Sequence, residues 1–219
     1  MRRVCRVLLY ASLGLLAACV PGPGEIFRAP PTEPAPPTQA PTKEQVFGAF
    51  ARLNVAFQTE YERVLDERGV RSFTAQRADA FNALSSALIK LGMIVESRDP
   101  AAGTLTVASP APRPLDAGEW RRASEADLPM MQGILCPVLG EKMCRAVRFE
   151  PDDYVIVINS TVIATPKGGS EVSLTTRMRE IAPSQTGLPR RDYPPPTAVR
   201  MALDKIWLRF EQELRATNK

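Results

Sequence analysis

Apolar side chains recur every three or four residues in three stretches of the chain, a spacing that places them on one face of a helix. The first stretch covers residues 43–69 and ends at Gly69, a common stop residue. The second covers residues 76–92, and the third follows a proline-rich connection and runs to about Leu214. The spacing predicts three amphipathic helices. The stripe of the first helix is rich in aromatic residues, namely Phe47, Phe50, Phe57 and Tyr61.

Five segments are rich in β-branched residues or alternate apolar with polar positions, as strands with one buried face do. The turn sequences DPAAG and TPKGGS lie between two pairs of these segments and predict two hairpins. Residues 116–146 give no clear pattern: Ser124 and Asp127 resemble a helix-start box, but Pro129 argues against a long helix. The predicted strands are residues 70–74, 93–97, 104–108, 154–164 and 172–179.

The order of these elements predicts an α+β fold in which an antiparallel sheet carries helices on one face. We assign residues 70–219 to this domain and expect the amphipathic helix over residues 43–69 to lie outside it. The aromatic stripe of that helix then has two interpretations, either a packing face or a surface for a protein partner.

The first eighteen residues have the layout of a secretory signal peptide. Three arginines lie before a largely apolar run that is too short for a transmembrane helix. The sequence Leu16-Ala17-Ala18-Cys19 follows and resembles the lipobox of bacterial lipoproteins. In that family the cysteine thiol receives a diacylglyceryl group and the new amino terminus is acylated, so the resemblance implies that Cys19 carries the lipid. A plain secretory signal is the alternative.

Residues 19–42 contain eight prolines and few large apolar side chains. Such a segment favours extended polyproline II and cannot form a packed core. At about 3.1 Å per residue it reaches on the order of 70 Å, which predicts a disordered tether; a docking site for a proline-binding protein is the other interpretation. By resemblance to enterobacterial lipoproteins, Val20 implies an outer-membrane anchor with the domain in the periplasm, while the inner membrane and the cell surface stay open.

Composition and charge exclude several kinds of chemistry. The chain has 219 residues, 44% hydrophobic and 24% charged, as in ordinary soluble folds. It has no histidine, so a Ser-His-Asp system and a His-ligated zinc site are excluded. The 28 basic and 24 acidic side chains become 25 and 24 when Arg2, Arg3 and Arg6 leave with the signal peptide. A mature chain so nearly neutral argues against nucleic acid as a partner.

Cys136 and Cys144 remain in the mature domain after Cys5 leaves and Cys19 is lipidated. An even pair in an exported chain predicts a disulfide, which would stabilise the fold by roughly 2–3 kcal/mol through its short loop. Two free buried thiols, or a redox or metal site, are the alternatives. The spacing is not C-x-x-C, and no histidine or further cysteine is available.

Motifs for catalysis or cofactor binding are missing from the sequence, including G-x-S-x-G, the P-loop and the dinucleotide fingerprint. We therefore predict a non-enzyme without a cofactor. Glu150, Asp152 and Asp153 form an acidic cluster, which we interpret as a solvated turn rather than as paired carboxylates or a calcium site. Five arginines have two interpretations, either a basic surface that faces lipid headgroups or an acidic partner, or a solvated face of the sheet. They are Arg177, Arg179, Arg190, Arg191 and Arg200.

Two stretches of the chain resemble a known arrangement. They are AFNALSSALIKLGMIVESRDPAAGTLTV, and EVSLTTRMREI followed by ALDKIWLRFEQEL. Their order of elements resembles the helix-grip arrangement of bacterial outer-membrane lipoproteins, among them the lipoprotein C subunit of the β-barrel assembly machinery. The resemblance covers residues 70–216. It implies a fold class and a compartment, and it assigns no functional residue.

Three function classes remain. The expected one is a membrane-anchored, non-catalytic scaffold or accessory subunit of an envelope complex, with the bilayer and an envelope protein as partners. The first alternative is a periplasmic carrier of a lipid or other apolar ligand held between sheet and helices. Large side chains at Phe81, Trp207 and Phe210 argue against such a cavity. The second alternative is an enzyme acting on envelope glycans or lipids, which would need acid–base chemistry without histidine.

Overall fold

The structure of the chain is a computed structural model that describes residues 40–152, 154–181 and 193–217. The predictions for the signal peptide, for Cys19 and for the tether up to residue 39 lie outside these residues, as do those for Asp153, Arg190 and Arg191. The helices are α1 (Lys43–Arg68), α2 (Arg77–Lys90), α3 (Ala117–Leu139), α4 (Glu141–Cys144) and α5 (Pro196–Thr217). The strands are β1 (Val70–Phe73), β2 (Ile94–Asp99), β3 (Thr104–Pro110), β4 (Tyr154–Ala164) and β5 (Ser170–Glu180).

The strands form one antiparallel sheet in the order β1-β5-β4-β3-β2. Both predicted hairpins are present, β2 with β3 and β4 with β5. In the TPKGGS turn the Thr165 amide donates to the Gly169 carbonyl at 3.1 Å. Gly169 has a φ of 117°, and an added Cβ would lie 2.5 Å from the Phe73 carbonyl oxygen, so only glycine fits this position. The predicted α+β class with an antiparallel sheet is confirmed.

One face of the sheet packs against the helices, whereas the other face is open. Along β4 and β5 the buried positions alternate with more exposed ones, as a sheet with one covered face requires. The covered face includes Ile158, Val172 and Leu174, each at most 1% exposed. The open face includes Asn159, Thr175 and Arg177.

Helix α1 belongs to the core, so the expectation that it lies outside the sheet-and-helix unit is wrong. The described residues from Ala40 onward form one compact unit, and α1 contacts α3, α5 and β1. The Phe57 ring lies 5.5 Å from the Phe149 ring, and the Tyr61 ring lies 5.2 Å from the Tyr193 ring. The apolar stripe of α1 is therefore buried by residues that lie about ninety or more positions further along the chain.

Helix α3 is 23 residues long, which corrects the expectation that Pro129 prevents a long helix. Pro129 and Pro137 both lie on its exposed side, where water can bond the carbonyl groups that lack a helical N–H partner. The opposite side is buried from Trp120 to Leu139 and holds the helix in place. Its start is also different from the predicted Ser124 box, because Asp116 and Glu119 form the capping box.

Helices α2 and α5 cover the centre of the sheet and are joined to each other. The Glu213 carboxylate of α5 accepts from the Ser86 hydroxyl at 2.9 Å and from the Lys90 ammonium at 2.6 Å, both on α2. Lys90 is the main cause of a lowered pKa of Glu213. Near the middle of α5, the indole N–H of Trp207 donates to the Arg68 carbonyl at 2.8 Å, which fixes the end of α1.

Candidate binding cleft beside α3

A surface cleft beside α3 is shaped by the loop between α3 and β4. Cys136 in α3 and Cys144 in α4 lie at disulfide distance, with Cα atoms 5.0 Å apart, in agreement with the predicted pairing. The chain then runs back along α3 as residues 145–152, which we call the return segment. Its far end meets the first turns of α3, where the Trp120 indole N–H donates to the Phe149 carbonyl at 2.9 Å.

The return segment and one side of α3 form the two walls of this α3 cleft, whose volume is about 510 Å³. Pro112 closes one end. The Phe149 side chain packs against the core, because its ring centre lies 6.4 Å from that of Trp120 and 5.5 Å from that of Phe57. The Cys136–Cys144 pair thus positions the walls at one end of the cleft, and the cluster of Trp120, Phe149 and Phe57 positions them at the other. The apolar lining residues are Pro112, Ala117, Trp120, Leu128, Phe149 and Pro151.

Charged side chains of both signs line the α3 cleft. The α3 wall contributes Arg121 and Glu125, and the return segment contributes Arg148, Glu150 and Asp152. Among the described residues none of these five side chains forms an ion pair. The guanidinium of Arg148 instead donates to the carbonyls of Arg145 and Val147, the latter at 3.0 Å.

The hydroxyl oxygen of Ser124 is buried at the α3 wall, and no described residue bonds to it. Buried polar atoms in folded proteins nearly always have a partner, so an unpaired one points to a water or a ligand. Ser124 lies between Trp120 and Leu128 on the helix and so belongs to the centre of the wall.

The acidic cluster predicted from the sequence lies at the edge of this cleft. Glu150 and Asp152 are both in the return segment, and Asp153 lies outside the described residues. Within the described ranges no group of three acidic or cysteine side chains is placed to hold a metal ion. The two carboxylates therefore contribute charge to a cleft rather than a described cation site.

The described members of the basic set, Arg177, Arg179 and Arg200, are not brought together. Arg177 and Arg179 lie on the open face of the sheet, and Arg179 pairs with Glu96 at 3.0 Å. Arg200 lies on α5, on the helical side of the sheet. The sheet separates the two groups, so the described members of this set do not form a continuous cationic face.

The aromatic residues of α1 that were predicted as a possible partner surface are buried in some cases and exposed in another. Phe57 and Tyr61 are 2% and 6% exposed and pack inside the core, so they are not available to a partner. Phe50 is partly buried against the same core, and only Phe47, at 40% exposed, faces solvent. Burial also raises the pKa of the Tyr61 hydroxyl. The packing interpretation therefore holds for the C-terminal half of the stripe.

A buried carboxylate that sequence reasoning missed joins α3 to α5. Asp127 is 5% exposed and accepts from the Thr197 amide at 3.1 Å and from the Thr197 hydroxyl at 2.6 Å. The residue before α5 is Pro195, which has no side-chain oxygen to cap the helix, so α3 supplies the cap. Burial raises the pKa of Asp127 above its ordinary value, although the bonds from Thr197 act in the opposite direction.

The interior between the sheet and α5 is filled. Phe81, Trp207 and Phe210 are at most 2% exposed, and Phe73 packs against Phe210 at 4.8 Å between ring centres. The cavity lined by Ile156 of the sheet and by α5 has a volume of about 10 Å³. Such a space holds about one water molecule.

Two comparisons with known proteins assign no role to these features. A scan against protein-family models finds no match for this chain, and a search of the curated proteins finds no significant match. Among the described residues, no helix is both long enough and apolar enough to cross a bilayer.

Proposed function

We propose that this protein is a lipid-anchored bacterial envelope lipoprotein whose folded domain binds a partner without catalysing a reaction. The proposal places the lipid on Cys19 and the domain in the periplasm at the outer membrane. The observation that carries it is the succession of LAAC at residues 16–19, a proline-rich stretch and a compact unit from residue 40 onward. One acyl chain holds a protein only marginally, whereas two or three anchor it stably.

A binding role is favoured over that of an internal carrier because of the packing of the core. A lipid tail held between sheet and helices would need hundreds of cubic ångströms, but the space beside α5 measures about 10 Å³. Two larger cavities, of about 510 and 480 Å³, lie at the surface around Pro112. Surface clefts and an open sheet face suit a scaffold or an accessory subunit of an envelope complex.

The anchor is tested by replacing Cys19 with serine and labelling cells with palmitate. The wild-type protein should incorporate label and sediment with membranes, and the C19S protein should remain an unlabelled, unprocessed or mislocalised precursor. Cys5 to serine is the matched control, because that residue lies inside the signal peptide and should leave labelling unchanged. Full processing and membrane retention of C19S would contradict the lipoprotein assignment.

The partner is tested by photo-crosslinking in cells from single exposed positions. We would place the reactive amino acid at residue 47 on α1, at residue 122 on α3 or at residue 175 on the open sheet face, with buried position 57 as the negative control. A binding module should give a discrete adduct with one envelope protein from at least one surface, and the C19S change should reduce it. The absence of any adduct from all three surfaces would refute the scaffold role.

A further inference from the structure

The α3 cleft has the dimensions of a ligand site. Its volume of about 510 Å³ lies within the range of ~300–1,000 Å³ that is typical of sites for small ligands. Its lining combines Trp120, Leu128 and Phe149 with five charged side chains and the hydroxyl of Ser124. Most sites for small ligands are lined mainly by apolar groups, so this more polar lining favours a ligand that itself carries charge.

The charges on the two walls indicate which chemistry fits. Arg121 and Glu125 lie one turn apart on α3, and Arg148, Glu150 and Asp152 lie opposite them. None of these side chains is paired with another described residue, so a ligand does not have to break an existing ion pair to reach them. Because cations and anions occur on both walls, a ligand that carries both signs is better matched than a simple anion or cation.

Ser124 adds a directional group between these charges. Its buried hydroxyl oxygen lacks a partner among the described residues. A hydroxyl can both donate and accept a hydrogen bond, so it matches a peptide N–H or carbonyl equally well. The guanidinium of Arg148 is already held by two backbone carbonyls, which fixes one cation before a ligand arrives.

We propose that the α3 cleft binds a short peptide with free termini. The peptide carboxylate pairs with Arg121 or Arg148, and its ammonium group pairs with Glu125, Glu150 or Asp152. An apolar side chain of the peptide lies over Trp120 and Phe149, and the peptide backbone bonds the Ser124 hydroxyl. The proposal does not depend on the assignment of Cys19 as the lipidated residue, so either one can fail without the other.

The test uses the full-length protein purified in detergent and a library of tripeptides. Each tripeptide has leucine in the middle and a varied residue on either side, with both termini free. Saturation-transfer NMR identifies the binders, and titration calorimetry then measures Kd. We expect saturable one-to-one binding at or below about 1 mM for part of the library. Acetylation and amidation of the same tripeptides should weaken binding about tenfold, because charge-assisted bonds to the termini are lost.

Variants of α3 show whether the peptide occupies this cleft. Arg121→Ala and Glu125→Ala should each raise Kd about tenfold, and Ser124→Ala should raise it several-fold. Arg122→Ala is the matched control: Arg122 is an exposed arginine next in sequence that does not line the cleft, and its loss should leave Kd unchanged. Circular dichroism verifies that all four variants stay folded.

Three results would overturn the proposal. The first is the absence of saturable binding by any tripeptide at peptide concentrations well above ~1 mM. The second is binding that Arg121→Ala, Glu125→Ala and blocked termini all leave unchanged, because the peptide would then lie elsewhere on the protein. Binding of blocked tripeptides as tightly as free ones would likewise remove the role assigned to the charged walls.

Discussion

Replacing Asp127 tests the contact that joins α3 to the start of α5. In the Asp127→Ala variant, the amide and the hydroxyl of Thr197 both lose their acceptor. Loss of a helix cap costs about 0.5–2 kcal/mol, and a hydrogen bond to a charged group contributes about 1.5–3 kcal/mol. Removal of a buried charge offsets part of this loss. We therefore expect the free energy of unfolding at pH 7 to fall by about 2 kcal/mol.

The Asp127→Asn variant separates the cap from the charge. Its amide oxygen still accepts from the Thr197 N–H, and asparagine caps helices about as well as aspartate. The desolvation of a carboxylate disappears at the same time. We expect a change of less than about 1 kcal/mol in the free energy of unfolding at pH 7. A loss as large as that of Asp127→Ala would show that the negative charge itself is required.

The pH dependence has a defined sign. Because burial raises the pKa of Asp127, the folded chain binds more protons than the unfolded chain between the ordinary pKa of aspartate, about 3.9, and the raised value. The contribution of Asp127 to stability is therefore fully present below this window and is lost as pH rises through it. Arg200 acts to lower this pKa and Glu60 acts to raise it.

Urea unfolding at pH 4, 5, 6 and 7, followed by far-ultraviolet circular dichroism, measures this effect. The difference in unfolding free energy between wild type and Asp127→Asn should move against the wild type as pH rises, since the other titrating groups cancel in the comparison. Thr197→Val serves as the second variant, because it removes the hydroxyl donor and should make the dependence steeper. A difference that is flat with pH, or that moves in the wild type's favour, would refute this reasoning.

Three further tests address the burial of α1, the loop after α3 and the β2–β3 hairpin. Phe57→Ala should lower the free energy of unfolding by about 3–5 kcal/mol in urea titrations, whereas Phe47→Ala on the same helix should change it by less than about 1 kcal/mol; similar effects would contradict the burial of the α1 stripe. An unreduced peptide map should show Cys136 and Cys144 in one linked species, and Cys136→Ser should cost about 2–3 kcal/mol. Gly103→Ala should destabilise the β2–β3 hairpin by about 1–3 kcal/mol in thermal unfolding, because the added Cβ would lie 2.2 Å from a carbonyl oxygen of β4 at a φ of 75°.

The hairpins and the helices α2 and α5 could be predicted because their signals are local. Turn residues such as Gly169 and an alternation of period two identify a hairpin within about twenty residues of sequence. The position of α1 could not be predicted in this way. The aromatic stripe indicates a helix, but it does not distinguish an outward face from one that is buried against Phe149 and Tyr193.

Helix α3 was missed because Pro129 was given more weight than the regular spacing of apolar residues around it. Trp120, Ala123, Asp127, Met131 and Leu135 recur at intervals of three and four and are all buried in the structure. That spacing is visible in the sequence, and it would have placed Asp127 on a buried stripe. An acidic residue at such a position needs a partner, so the spacing also contained the signal for the contact with Thr197.

The α3 cleft illustrates why a binding site can be absent from local patterns. In the sequence, FEPDDY is an acidic turn before a strand, and solvation is the simplest interpretation of its charges. The fold gives Glu150 and Asp152 a second wall, because the pairing of Cys136 with Cys144 directs the chain back along α3. The same carboxylates then line a cleft whose other wall carries Arg121. Their role depends on how the return segment lies against α3, and variants of the α3 wall are therefore the sharpest way to test it.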